Sequence, residues 1–315
     1  MAENSVRSVA VVGAGLVGLG WAIVFSRAGL PVTIYDASME ARAAALGRLS
    51  ASLGDMKAAG LLDNVAELLG RMRVVETLAE AVADADYVQE SVFERVNTKT
   101  EIANAIGPLL KTGAVVGSSS SGIPASAFIE HATNRERFLI VHPVNPPHLI
   151  PLVELVPAPW TDAAIVPAAR RFMNMVGQVP IVVNREVEGF ILNRLQGALL
   201  NEAWALFEEG YASVEDIDLT VSHGLGFRWC FMGPFETIDL NAPGGVADYA
   251  RRLGPLYHSI AKARSNPKPW NEDLAGRVEA ERRQKLAIDQ LPERSAWRDR
   301  RLMALLRHKN TQSDT

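Results

Sequence analysis

The sequence has little cysteine and no motif of metal-ligating residues. Cys230 is the one cysteine among 315 residues, so an internal disulfide framework is excluded and a reducing, cytoplasmic environment is expected. Trp229 and Phe231 flank it, a setting that is typical of a buried, unreactive thiol. The six histidines are scattered, and neither an HExxH nor a CxxC motif occurs, so we expect no metal site.

An excess of basic residues is also absent. The 32 Lys and Arg residues and the 36 Asp and Glu residues give a formal net charge of −4, which provides no positive field for nucleic acid or anionic lipid. An uncharged stretch, Ser8–Ser26, follows Arg7 and has the composition of a signal segment or a short membrane span. Because four glycines interrupt it and a strand-like run follows, we interpret it as a strand, a turn and a helix, and we expect no membrane association.

The remaining composition is typical of a globular protein with a large core. Hydrophobic residues make up 48% of the chain and charged residues 22%, and the length suits about two domains. Strand-like and helical patterns alternate in residues 1–188, which predicts an α/β domain with a doubly wound, mostly parallel sheet. Residues 189–315 are helical without a strand signal, starting with a long, mostly buried helix at 189–210. We expect the polar residues 310–315 to be disordered.

A glycine motif follows the first predicted strand, Val9–Val12. Gly13 suits a tight turn, Gly15 lets the backbone approach a pyrophosphate, and Gly18 allows close packing of the following helix on the strand. The N-terminus of that helix favours anionic phosphates. Asp36 ends the second strand, where its carboxylate can accept a hydrogen bond from a ribose 2′-hydroxyl and repel a 2′-phosphate. The motif therefore predicts a dinucleotide site that prefers NAD to NADP.

A histidine and a glutamate occupy the next two apolar runs. His142 ends the run Phe138–Val141, where we expect Pro143 to end the strand. Glu154 lies inside Leu152–Val156, a run that is apolar on both faces, so its carboxylate needs a partner or a proton. A carboxylate on one ring nitrogen of His142 would fix the tautomer and raise the basicity of the other nitrogen. The pattern indicates a general base, whereas the alternative is a surface histidine and an edge glutamate with unrelated partners.

Two further polar features allow more than one interpretation. The serine run Ser118–Ser121 follows a buried strand and is either a solvated linker or a set of hydroxyl donors on the same sheet edge as His142. Asn193 lies among apolar residues near the start of the long helix. Because a buried amide needs partners, Asn193 either makes a packing hydrogen bond or points into the domain cleft.

With these residues in view, the chain resembles the L-3-hydroxyacyl-CoA dehydrogenase family, and within it the lambda-crystallin type, the L-gulonate 3-dehydrogenases. The resemblance covers nearly the whole chain. It rests on the stretches VVGAGLVGLGWA, QESVFERVNTKTEI, HPVNPPHLIPLVELVP, EGFILNRLQGALLNEA and GFRWCFMGPFETIDLN. The implied fold is a Rossmann-type NAD-binding domain followed by a helical domain that forms a homodimer.

The resemblance also implies roles for individual residues. His142 and Glu154 would be the catalytic pair, and Ser121 and Asn193 would bind the substrate oxygen as it changes from hydroxyl to carbonyl. The implied cofactor contacts are Gly13, Gly15, Gly18, Asp36, Glu90, Lys99, Ser118 and Asn145.

The sequence departs from the CoA-using branch of that family in two ways. That branch typically reads HFFNP where this chain reads HPVNP from His142. The helical insertion after the second strand, which handles CoA in that branch, offers few cations here, namely Arg42, Arg48 and Lys57. Both features favour a small free hydroxy acid. Arg228 would then bind its carboxylate, or instead form an inter-helix salt bridge.

The sequence therefore favours an NAD-dependent dehydrogenase of a small L-3-hydroxy acid such as L-gulonate. A short-chain L-3-hydroxyacyl-CoA dehydrogenase and a diketo-ester reductase are alternatives within the same class. A non-catalytic, crystallin-like NAD-binding protein is the alternative from another class, although it need not keep His142, Glu154, Ser121 and Asn193 together. A 2-hydroxy-acid or 6-phosphogluconate type enzyme would need other cationic cleft residues, for which no motif is found.

Overall fold

The computed structural model describes residues 6–312 of the chain. Within that range an eight-stranded sheet forms the first part of the molecule. Its strands are β1 Val9–Val12, β2 Val32–Tyr35, β3 Met72–Val74, β4 Tyr87–Glu90, β5 Val115–Ser118, β6 Phe138–Pro143, β7 Leu152–Pro157 and β8 Val179–Val182.

The sheet has the order β3-β2-β1-β4-β5-β6-β7-β8. Its first six strands run parallel, in the order expected of a Rossmann fold, and β7 pairs antiparallel with β6. The predicted α/β class with a mostly parallel sheet is confirmed. Strand β6 ends at Pro143 as predicted, and Pro143 is the last residue of its ladder, where it pairs with Val153 across the antiparallel edge.

Seven helices pack around this sheet within the described residues. They are α1 Leu16–Arg27, α2 Met39–Ala58, α3 Val65–Gly70, α4 Leu78–Val82, α5 Val96–Ile106, α6 Ser126–Ile129 and α7 Ile165–Met175. Two clusters of buried apolar residues pack against the sheet, and alternate residues of β1 belong to different clusters. Val9 and Val11 belong to one cluster, and Ala10 and Val12 belong to the other. Because both faces of the sheet are covered, its strands are mostly apolar rather than alternating in polarity.

The remaining elements are helical. Apart from short 3-10 helices, they are α8 Leu192–Glu208, α9 Val214–Thr220, a π-helical turn Val221–Leu225, α10 Gly226–Trp229, α11 Pro234–Leu240, α12 Gly245–Ala263, α13 Glu272–Lys285 and α14 Leu291–Thr311. In the described part of the chain, no helix is both long enough and apolar enough to cross a membrane.

The described residues form two compact units. One contains the residues up to Arg194 together with those from Arg294 onward, and the other is Leu195–Glu293. Met303 of α14 accordingly belongs to the same buried cluster as Met56 of α2. The domain boundary predicted at residue 188 stays a prediction.

Three expectations for the helical part are wrong. The long helix starts at Leu192 rather than at 189, because positive φ angles at Gly189 and Phe190 are incompatible with an α-helix. In addition, none of the residues of this helix is buried, although it was expected to be mostly buried. Asn310 and Thr311 belong to α14, so the tail predicted to be disordered is helical at these two residues. Residues 313–315 of that prediction lie outside the described range.

Candidate active site

His142 and Glu154 face each other across the β6–β7 ladder, where they form a directly opposed antiparallel pair. Side chains of such a pair project from the same face of the sheet. The His142 Nδ1 atom lies 2.8 Å from Glu154 Oε2, and the two residues are 5% and 1% exposed. Because a carboxylate can only accept, Nδ1 carries the proton, and Nε2 is the nitrogen that can act as a base.

The second oxygen of Glu154 is also engaged. Oε1 accepts hydrogen bonds from the backbone N–H groups of Ile191, at 2.8 Å, and Leu192, at 3.0 Å. Burial by itself would raise the pKa of the Glu154 carboxyl, but the hydrogen bonds from His142, Leu192 and Ile191 outweigh it and hold the pKa below its ordinary value of 4.5. Glu154 is therefore an ionised carboxylate at neutral pH, although it is almost fully buried.

Ser121 and Asn193 are brought together in the structure. The Asn193 side-chain amide donates a short hydrogen bond to the carbonyl oxygen of Ser121. The Ser121 residue is exposed, and its hydroxyl makes no hydrogen bond within residues 6–312. This arrangement leaves the hydroxyl of Ser121 available to a ligand at the carboxyl ends of the strands.

Glu94 organises the serine loop, a role that was not predicted from the sequence. Its Oε1 atom accepts hydrogen bonds from the Ser120 hydroxyl at 2.8 Å and from the backbone N–H groups of Ser121 at 2.7 Å and Gly122 at 3.2 Å. Burial raises the pKa of the Glu94 carboxyl, but nearby Lys99 and these donors lower it further, so the net shift is downward. Its place shortly after β4, on the same sheet edge as the serine run, is the signal that could have identified it.

Glu90, Lys99 and Ser118, predicted to contact the cofactor, form a buried cluster with one another. The Lys99 ammonium group lies 3.1 Å from Glu90 Oε1 and 3.3 Å from Glu94 Oε2, and the Ser118 hydroxyl donates to Glu90 Oε2. Lys99 is 1% exposed, so its positive charge is paired with the carboxylates of Glu90 and Glu94 inside the protein. The structure gives these three residues a role in supporting the sheet edge, and direct contact with the cofactor stays a prediction.

The glycine motif leaves an open approach to the N-terminus of α1. A Cβ atom on Gly13, where φ is +110°, would collide with the carbonyl oxygen of Ser91, and one on Gly18 would collide with that of Gly13. A Cβ on Gly15 would meet nothing within 4 Å, so the protein's own packing does not require a glycine there. The space beside Gly15 is the kind of backbone cradle that a pyrophosphate group would occupy.

The charges around this cradle suit a dinucleotide. The first turn of α1 contains no acidic residue, and no side chain caps its N-terminus. Asp36 lies at the end of β2, where Oδ2 accepts a hydrogen bond from Ala14 N at 2.7 Å and Oδ1 accepts one from Ser38 N at 2.8 Å. The carboxylate of Asp36 thus holds the glycine loop while it remains partly exposed. The residues present therefore fit NAD.

The two other predicted site residues lie at the surface. Asn145 is exposed, and its peptide bond to Pro146 is cis. Arg228 is an exposed residue of α10, in the second unit, and no carboxylate of the described residues lies within ion-pair distance of it. The inter-helix salt bridge considered for Arg228 is thus not found in that part of the chain.

Two family models match the chain over almost its whole length. The model described as "3-hydroxyacyl-CoA dehydrogenase, NAD binding domain" matches residues 8–187, and "3-hydroxyacyl-CoA dehydrogenase, C-terminal domain" matches residues 189–286. The chain belongs to the 3-hydroxyacyl-CoA dehydrogenase family. It is a member of the lambda-crystallin type, since lambda-crystallin of Oryctolagus cuniculus is 35% identical over 314 residues, 98% of each chain.

Two further proteins are similar to the chain over most of their length. An L-carnitine dehydrogenase of Streptomyces coelicolor is 37% identical over 279 residues, which cover 88% of this chain and 84% of that protein. The solved structure of 5-formyl-3-hydroxy-2-methylpyridine 4-carboxylic acid 5-dehydrogenase, an NAD-dependent dismutase, superposes with a TM-score of 0.81 at 28% identity, covering 98% of this chain and 100% of that one. The predicted family and the cofactor NAD are confirmed, and the family assigns an oxidoreductase acting on a CH–OH group.

Proposed function

We propose that this family member oxidises the 3-hydroxyl group of a small, free L-3-hydroxy acid, such as L-gulonate, with His142 as the general base. The observation that supports it best is the buried hydrogen bond between His142 Nδ1 and Glu154 Oε2. With Nδ1 bonded to Glu154, Nε2 is the ring nitrogen that can accept a proton, and it lies at the end of β6, on the sheet edge where ligands bind in open α/β folds.

Each of these residues has a separate role in the proposed reaction. NAD, when bound, supplies the acceptor for the hydride that leaves the carbon. His142 Nε2 takes the hydroxyl proton as the C–O bond becomes a carbonyl, and the Glu154 carboxylate stabilises the imidazolium that forms. The Ser121 hydroxyl and the Asn193 amide donate hydrogen bonds to the reacting oxygen. General acid–base catalysis of this type contributes about 10²–10⁴-fold to the rate.

The preference for a free acid is supported by the helical insertion, α2 and α3. Of its cations, Arg42 is already used, because its guanidinium donates to the carbonyl oxygens of Asp36 at 2.6 Å and Ala37 at 3.2 Å. A long thioester substrate with several phosphates would need more cations than Arg48 and Lys57 provide. A relative named for L-carnitine, a substrate that is not a thioester, supports the same choice. Arg228 is the proposed partner of the substrate carboxylate.

The substrate class is tested with a panel of hydroxy compounds. The protein is incubated with NAD and with L-gulonate, L-3-hydroxybutyrate, L-carnitine or 3-hydroxybutyryl-CoA, and NADH formation is followed by absorbance. Oxidation of a free acid is the expected result. A response to the thioester alone would establish the CoA branch instead, and no response to any compound would favour the structural, crystallin-like role.

We also propose that the chain forms a homodimer through its helical part. In Leu195–Glu293 large apolar side chains lie open to solvent in the single chain, including Phe227, Phe231 and Phe235, which are 72%, 60% and 78% exposed. Exposed apolar surface of this kind is typical of a protein interface. Light scattering should give twice the chain mass of 34.2 kDa, and a monomer would refute the proposal.

A further inference from the structure

Two consecutive residues before α8 adopt the left-handed backbone conformation. Gly189 has φ +74° and Phe190 has φ +51°. A glycine adopts this region freely, but a bulky residue with a β-carbon rarely does. Phe190 therefore holds a conformation that its own side chain disfavours, and the surrounding structure has to maintain it.

The turn aims two backbone N–H groups at a single carboxylate oxygen. Phe190 N donates to the Val187 carbonyl oxygen at 3.0 Å, which closes the turn. The next two N–H groups, of Ile191 and Leu192, then converge on Glu154 Oε1 at 2.8 and 3.0 Å. Successive N–H groups that follow a change of backbone hand form a concave anion-binding site. Here the bound anion is a side chain of the protein itself.

The Phe190 side chain touches the other member of the pair. It is fully buried, and its ring centroid lies 5.7 Å from that of His142 at an interplanar angle of 56°. One turn thus contacts the histidine through a ring and the glutamate through the backbone. Packing of the Phe190 ring in the core also holds the Phe190 backbone in its disfavoured left-handed conformation.

We propose that Gly189 and Phe190 are positioning residues for the His142–Glu154 pair. Two donors fix Oε1, so Oε2 stays directed at Nδ1, and the imidazole keeps the tautomer and orientation that leave Nε2 free to accept a proton. The proposal rests on the proposed function for its effect on catalysis. Its effect on the hydrogen bond between His142 and Glu154 is independent of any substrate.

Gly189→Ala tests the backbone conformation with little change in packing. The added Cβ would lie 3.5 Å from Asn193 Cβ and 3.6 Å from Arg194 Cγ, which are ordinary contacts, so the strain comes from φ. Gly177→Ala is the matched control, because Gly177 has φ +79° and a Cβ there would meet nothing within 4 Å. Both variants should lose similar thermal stability. Only Gly189→Ala should lose kcat, by roughly 10–100-fold with NAD affinity unchanged, as expected for a misplaced catalytic group.

A double-mutant cycle separates positioning from general damage. In a Glu154→Gln background the carboxylate is already gone, so Gly189→Ala should reduce kcat by much less than it does in the wild type. Gly189→Asn should retain more activity than Gly189→Ala, since asparagine tolerates the left-handed region. If Gly189→Ala does not fold, Gly189→Asn takes its place in every comparison. An equal loss of kcat in both backgrounds would overturn the proposal.

Proton NMR of the His142 Nδ1–H group tests the same proposal without a substrate. Its resonance is assigned by its loss in His142→Ala. The signal should be unchanged in Gly177→Ala and shifted or lost in Gly189→Ala. An unaltered signal in Gly189→Ala would refute the positioning role. If the signal changes while the wild type oxidises none of the hydroxy acids, the positioning role stands and the proposed function fails.

Discussion

His142 and Glu154 lie opposite each other on neighbouring antiparallel strands, joined by a 2.8 Å hydrogen bond from Nδ1 to Oε2. The reversal of β7 relative to β6 creates this pair, because it returns the chain to the same sheet edge within a few residues. In a parallel crossover the two side chains would come from more distant parts of the sequence. The antiparallel step at the end of a parallel sheet is thus the structural origin of the proposed general base.

Replacement of Glu154 by glutamine should lower kcat without unfolding the protein. The amide oxygen can still accept from Ile191 and Leu192, but the negative charge that stabilises the imidazolium is lost. We expect a decrease of about 10–100-fold, a part of the usual contribution of acid–base catalysis. Glu101→Gln, on the exposed side of α5, is the matched control. Equal kcat values for the two variants would remove Glu154 from the mechanism.

The stability of the protein should decrease as the pH falls below 4.5, in part through Glu154. The pKa of this carboxyl is lower in the folded protein than its ordinary value of 4.5. Its stabilising contribution is therefore complete above pH 4.5 and is lost as the pH falls through the lowered folded value. Urea unfolding of Glu154→Gln should show a smaller loss of free energy of unfolding in this range. Identical pH dependence in both proteins would contradict the assignment.

Gly15 and Gly18 should respond differently to alanine. At Gly18 the new Cβ collides with the carbonyl oxygen of Gly13, so the variant should be strongly destabilised. At Gly15 the Cβ meets no protein atom within 4 Å, so the variant should fold, with NAD affinity reduced because the methyl group occupies the phosphate cradle. Thermal melting and NAD titration measure the two effects. Normal NAD affinity in Gly15→Ala would show that the pyrophosphate binds elsewhere.

Asp36 should determine the choice between NAD and NADP. Asp36→Ala removes both the ribose partner and the acceptor for Ala14 N, so it should weaken NAD binding and relax the bias against NADP. Asp36→Asn keeps one oxygen for Ala14 N but loses the charge and the second oxygen, which accepts from Ser38 N. It should therefore relax the bias with a smaller loss of NAD affinity. Unchanged affinities for both dinucleotides in both variants would exclude this role.

The fold and part of the site could be predicted because their signals are local. The glycine motif and Asp36 lie within one strand–helix–strand unit, and a glutamate inside an apolar run indicated the need for a partner such as His142. The roles of Glu94 and of the turn at Phe190 were not predicted in this way. Their roles depend on hydrogen bonds to backbone groups of residues distant in the chain, and on a backbone conformation that a phenylalanine does not indicate.

The turns of the helical part show the same limitation. Gly224–Arg228 contains two glycines, which are typical of turns, yet it lies in a π-helical turn and in α10. Tertiary packing overrides the low helix propensity of glycine here. The long helix was expected to be buried for its apolar residues, but an apolar pattern does not tell whether a helix face is covered within the single chain.

The most direct test of the central claim is the turnover of His142→Ala, followed as NADH formation with the substrate found in the panel. His131→Ala, at an exposed histidine, serves as the control. We predict that kcat of His142→Ala falls by about 10²–10⁴-fold, while the Kd for NAD stays at the wild-type value, since the glycine loop and Asp36 are intact. Wild-type turnover in His142→Ala would contradict the proposed role of His142 as the general base.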